Sequence, residues 1–334
     1  KKIILKKVLP HLDRALRIDP EALLSDTIKA KIYQIKRKYG LSDMSWGLSF
    51  SQDFNYDDNV ISEGVDALEK STNKDSYVHT SSLAGIYIWT LPFKTKIEVI
   101  PNAKLNYIYH SDRESSDIFK NDAFSYSIGI DNRIYHQLFG NKANFLFDII
   151  YEYTAEDIAG TKSLSYDHSY LQFTLGEKLI LSNNRPFNIK FSIRNYTNYS
   201  NDWNNSSYSL NLMYPLKISD SRLWILSSNF DFTTYETQTT YDNNTYLIRS
   251  DWIFPNLYSL KVRGSFALTL TDTKEQDNTR GTEFTFNPSL SISKTFKKSY
   301  KLSFIYNFTK KLSDDEATYA YERHLIGLNF EYNY

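Results

Sequence analysis

Residues 327–334 read GLNFEYNY. Every second residue back from Tyr334 is apolar or aromatic: Tyr332, Phe330, Leu328 and Ile326. The residues between them, Asn333, Glu331, Asn329 and Gly327, are polar or small. A strand sends alternate side chains to opposite faces, whereas a helix would scatter the same residues around its circumference. The stretch is therefore a strand with one oily face and one wet face, and it ends on an aromatic residue.

The same period recurs upstream. Phe145, Phe147, Ile149, Tyr151 and Tyr153 oppose Asp148 and Glu152. Phe187, Ile189, Phe191 and Ile193 oppose Asn188, Lys190, Ser192 and Arg194. Tyr300, Leu302, Phe304, Tyr306 and Phe308 oppose Lys301, Ser303, Asn307 and Thr309. From Ser45 onward the pattern predicts about fourteen strands, at roughly 45–57, 76–90, 93–110, 121–137, 142–155, 166–182, 186–199, 204–218, 222–236, 242–254, 256–272, 281–296, 299–312 and 318–334. Many are longer than the usual soluble strand.

The connections alternate in length. Short ones include FGNK at 139–142, SDS at 219–221 and FPN at 254–256. Longer polar ones are 58–75, 111–120, 156–165, 200–203, 237–241, 273–280 and 313–317. Membrane β-barrels show this asymmetry of tight turns and long loops, and an even strand count puts both barrel ends on the tight-turn side. A soluble sandwich or propeller is the alternative, since it too has many short strands.

Composition agrees with a barrel. The mean hydropathy is −0.49, yet the chain holds 27 tyrosines and 21 phenylalanines, as expected where half of each strand meets lipid and half a polar bore. Lysine plus arginine and aspartate plus glutamate are both 39, so no net basic field points to nucleic acid. Cysteine is absent, which excludes disulfides, thiolate metal sites and a cysteine nucleophile. The opening KKIILKKVLPHLDRAL has no signal-peptide architecture.

Residues 1–42 read differently. Asp19-Pro20-Glu21 is a helix start, Leu24, Ile28, Ile32 and Ile35 share one helical face, and Gly40 is a stop. The division expected is an α-helical segment at 1–42, placed in the periplasm as a docking face, and an all-β transmembrane barrel of about fourteen antiparallel strands at 45–334.

On the wet faces, Lys190, Arg194, Lys261, Arg263, Asp131, Arg133, Asp148, Glu152, Arg323 and Glu331 are the candidate lumen-lining residues, with Lys96, Glu98 and Lys104. Charges at these depths cannot face lipid cheaply, so they pair across the bore or line a wet path. For catalysis the sequence offers little. There is no HExxH, GxSxG or P-loop. His168 with Asp167 and Ser165 or Ser169 is the one local cluster, and a polar loop end explains it better than a catalytic site. Asp57, Asp58 and Asn59, with Glu63 and Asp66, are calcium-type ligands without the spacing of an EF-hand. No cofactor and no enzymatic activity are expected.

Two resemblances extend this reading. The alternate residues Ile326, Leu328, Phe330, Tyr332 and Tyr334 resemble the C-terminal signal of bacterial outer-membrane proteins, which implies recognition by the barrel-assembly machinery. ALRIDPEALLSDTIKAKIYQIKRKYG resembles the closing helices of a tetratricopeptide-type array. Such helices before a fourteen-strand barrel resemble the layout of the surface lipoprotein assembly modulators. That resemblance implies a Gram-negative outer-membrane protein exporting a periplasmic client, protein or lipoprotein, amid membrane lipid and lipopolysaccharide. A porin-like channel for small solutes or polysaccharide, and a structural or adhesive barrel, are the alternatives.

Overall fold

In a computed structural model, the chain is described at residues 11–12, 32, 35, 44–62, 74–91, 95–181, 185–219, 222–274, 281–296 and 299–334. Fourteen strands form one closed antiparallel barrel in which every strand pairs with its sequence neighbours and β1 pairs with β14. They are β1 (Met44–Asp57), β2 (Ser76–Leu91), β3 (Ile97–His110), β4 (Ala123–Leu138), β5 (Asn141–Glu156), β6 (Ser165–Leu181) and β7 (Arg185–Asn198). The ring continues with β8 (Asn205–Ser219), β9 (Arg222–Tyr235), β10 (Asn243–Leu257), β11 (Leu260–Thr273), β12 (Thr282–Phe296), β13 (Tyr300–Leu312) and β14 (Tyr321–Asn333). Closure leaves no strand edge to satisfy. No described helix is long and apolar enough to cross a membrane.

The register fixes which side chains share a face. Trp46, Leu48, Phe50 and Phe54 of β1, Ile128 and Ile130 of β4, and Ile326, Leu328 and Phe330 of β14 stand exposed on the outer face. Tyr332 pairs with Tyr300 and Phe50 in the same outer row, and the Tyr334 ring stacks on Trp46 at 5.1 Å. Aromatic rings gather towards the two ends. At the short-turn end Trp224 stacks on Trp252 and Tyr300 lies 4.9 Å from Tyr332. At the long-loop end Tyr153 stacks on both Tyr126 and Tyr166.

Two short turns are two residues long, Phe139-Gly140 and Tyr258-Ser259, with positive φ at both positions. That is the signature of the hairpin turn whose twist matches the strands. The sequence places one of these turns at FPN, three residues too early. Pro255 reads as a breaker, but β10 passes through it: its pairing with β9 ends at Ile253 and its register with β11 shifts between Phe254 and Leu257. A bulge beyond the last neighbour is where a sheet tolerates proline.

Around the closing seam, Ser49–Asp57 of β1 pairs with Leu325–Asn333 of β14. The β7–β8 ladder, from Asn188 to Tyr196, is of the same length, and these two are the shortest walls of the ring. Two short helical turns, α1 (Ser116–Phe119) and α2 (Glu316–Tyr319), cap the long-loop end. Of the docking face expected in the N-terminal segment, Leu24 and Ile28 lie outside the described residues; Ile32 and Ile35 are helical, and Ile32 is buried.

Candidate functional site

The site is the face turned into the barrel. Register places Asp131, Arg133, Asp148, Glu152, Lys190, Arg194, Lys261, Arg263, Arg323 and Glu331 on it, opposite the apolar rows. They fall into separate groups. Asp131 pairs with Asp148 across β4 and β5, a like-charge juxtaposition that needs a neighbouring cation. Lys190 supplies one from β7, with Nζ 3.8 Å from the Asp148 carboxylate. To do so it crosses β6 at Gly176, its register partner, where a Cβ would stand 2.9 Å from both the Lys190 stem and the Ile189 carbonyl oxygen.

Arg133 is the register partner of Glu98. Glu98 is buried, receives Lys96 at 2.5 Å and accepts a hydrogen bond from the Tyr135 hydroxyl at 2.8 Å. Lys301 donates to Glu331 at 3.0 Å. Arg263 donates to Asp251 through Nε and Nη2, at 3.1 and 3.0 Å. Arg249 holds the same carboxylate from the other side, at 3.1 to 3.2 Å. Because β11 is seven strands from β4 in the ring, Arg263 and the Asp131–Asp148 pair stand on opposite walls.

Arg249 and Asp251 were missed by sequence reading. Leu247 and Ile253 share their face, so YLIRSDWIF shows apolar residues on both sides and hides its wet row. Arg323 serves a different purpose. It clasps Asp57 across the seam at the long-loop end, its Nε 2.9 and 2.8 Å from the two oxygens. Asp58 accepts from the His324 backbone at 2.6 Å, and Asn59 donates to the Glu322 carbonyl at 2.8 Å. The acidic stretch read as calcium-type ligands thus fastens β1 to β14; Glu63 and Asp66 lie outside the described residues.

Near the long-loop mouth, between β5 and β10, the inner wall hollows into a cavity of about 730 Å³. A bulge contributes one of its lining residues. Thr154 pairs with His168 and Ala155 with Tyr166, so Asp167 is the extra residue. Bulges re-aim side chains: Tyr166 stays outside, stacked on Tyr153, while Asp167 contacts His168 Nδ1 at 2.5 Å. Glu156 completes a group whose ligand atoms lie within 4.8 Å of one another, the one such group among the described residues. Neither Ser165 nor Ser169 is bonded to His168: the Ser169 hydroxyl meets Tyr166 at 3.1 Å, and that of Ser165 donates to the Glu156 carbonyl at 3.4 Å. No nucleophile–base pair is assembled there.

The barrel is similar in fold to the outer membrane channel DcaP of Acinetobacter baumannii. The two align over 88% of this chain and 97% of that one, with a TM-score of 0.51 and 13% identity. Two further solved structures align less well. OmpT of Vibrio cholerae matches at a TM-score of 0.47 with 6% identity, over 87% of this chain and 97% of that one. An outer membrane channel from Pseudomonas putida F1 matches at 0.45 with 10% identity, over 88% and 97%. No protein-family model and no curated protein matches the sequence.

Proposed function

We propose that the protein is a passive, porin-like channel of the Gram-negative outer membrane, with its apolar outer face in lipid, its long loops outside and its short turns in the periplasm. One observation carries the reading. The inner-face cations remain solvated although a closed ring of strands surrounds them: 45% of the Arg263 side chain is exposed, 39% of Arg249, 38% of Lys190 and 37% of Lys301. An interior sealed by its own side chains would bury these groups, at a desolvation cost that few ion pairs repay. Barrels of about eight strands fill with side chains and those of about sixteen enclose water, so fourteen lies near the open limit. The likeness to DcaP, itself described as an outer membrane channel, points the same way.

The outer row from Ile326 to Tyr334 suits recognition by the barrel-assembly machinery, and membrane lipid and lipopolysaccharide are its natural surroundings. No catalytic step is assigned. Export of a lipoprotein or another client rests on the helices expected at 1–42, most of which lie outside the described residues. The β1–β14 seam is one of the two shortest ladders of the ring, but it is continuous and the Arg323–Asp57 clasp closes its long-loop mouth; with the likeness to a channel, the channel reading is preferred.

The test is reconstitution of detergent-purified protein into planar bilayers. Stepwise ion currents are expected. Folded barrels, confirmed by heat-modifiable gel migration, that insert but pass no current would refute the channel.

A further inference from the structure

The hollow near the long-loop mouth has a composition unlike the rest of the bore. Tyr170, Tyr196, Trp203 and Tyr235 line it together. Trp203, from the β7–β8 loop, is 40% exposed and meets Tyr235 edge-on at 6.1 Å and Tyr241 at 4.8 Å. Tyr196 stacks on His168 at 4.8 Å, and the Arg194 guanidinium stands 5.6 Å over the Tyr170 ring. These contacts hold the rings in place before any ligand arrives, which lowers the entropy lost on binding.

The polar groups between the rings are chiefly amides and hydroxyls: Asn198, Asn205, Asn243, Ser207 and Thr233. Each can both donate and accept, as the hydroxyls of a polyol require. Glu152 and Arg194 bring one charge of each sign. Asp167 is hydrogen-bonded to His168, and Glu152 and Asp167 face the one guanidinium of Arg194, so the wall carries little net charge among many neutral polar groups. Rigid aromatic faces suit the polarised C–H faces of sugar rings. A volume of about 730 Å³ lies in the range of small-ligand sites, roughly 300–1,000 Å³.

We propose that this wall is a binding subsite for neutral oligosaccharides entering from the long-loop side. The proposal rests on the channel reading, and Trp203 lets the two be tested apart. The other four tryptophans, Trp46, Trp89, Trp224 and Trp252, stand in the outward rows, so only Trp203 reports on the hollow.

The experiment titrates maltotriose, xylotriose and triacetylchitotriose against the detergent-folded protein, reading tryptophan emission, and against single channels in bilayers, reading current interruptions. At least one trisaccharide is expected to give a saturable emission change and resolved blockades. Trp203→Ala is expected to shorten those blockades about tenfold, the loss of one aromatic contact. Saturable emission without any current would keep the subsite and refute the channel. Normal current with no response to any of the three sugars would refute the subsite and keep the channel. Equal or stronger blockade by a small diamine or dicarboxylate would likewise refute it, since charge would then be the selector.

Discussion

Asp251→Asn probes the inner face most directly. The Asp251 side chain is 7% exposed and is the shared acceptor of Arg249 and Arg263. Asparagine keeps the shape, removes the charge and turns an N–H₂ towards two guanidinium groups. Breaking a fully buried pair costs about 3–5 kcal/mol, but both arginines are more than a third exposed, which moves the interaction towards the surface value of about 0–1 kcal/mol per pair. The expected loss is therefore about 1–3 kcal/mol, read as a fall of roughly 2–6 °C in the thermal unfolding midpoint in detergent. Adding Arg263→Gln should return part of that loss, because the Asn carbonyl then serves Arg249 alone. By itself, Asp251→Asn leaves one more uncompensated positive charge in the bore. In a KCl gradient the reversal potential should move towards that of chloride, and the shift should shrink as the Debye length falls below about 10 Å. An unchanged midpoint together with an unchanged reversal potential would show that this carboxylate neither organises the arginines nor faces the ion path.

Gly327→Ala should weaken the seam by about 1–3 kcal/mol: a Cβ there would lie 1.8 Å from the Asn55 amide oxygen and 2.7 Å from the Phe54 carbonyl oxygen, and the check is a lower temperature for loss of the folded gel band. Gly176→Val should displace Lys190 from Asp148 and leave the two carboxylates on β4 and β5 less compensated. Cation selectivity in bilayers is expected to rise; no change would mean that Lys190 does not neutralise them. Tyr258 and Ser259 both hold positive φ, so the paired replacement Tyr258→Asn and Ser259→Gly should stabilise the barrel by about 1 kcal/mol, and a midpoint that falls would argue against that turn.

The alternation of apolar and polar residues is a local property of extended backbone, so strands and faces were readable one segment at a time. Phe145 to Tyr153 and Tyr300 to Phe308 assigned themselves to the outside, and Lys190, Arg194 and Arg263 to the inside, before any pairing was known. Length and alternation of the connections then determined which end of the barrel carries the tight turns. Partner choice is a different kind of quantity, because it depends on register, bulges and closure. Nothing near Arg323 in sequence announces Asp57, 266 residues away; only the joining of β14 to β1 brings them together. Asp167 turns inward because one extra residue shifts β6 against β5, and a bulge leaves no periodic trace. The exposure of Arg249 and Arg263 follows from how wide the closed ring is, which no single strand encodes. The sequence determined what each strand can face; the closed ring decided what each side chain meets.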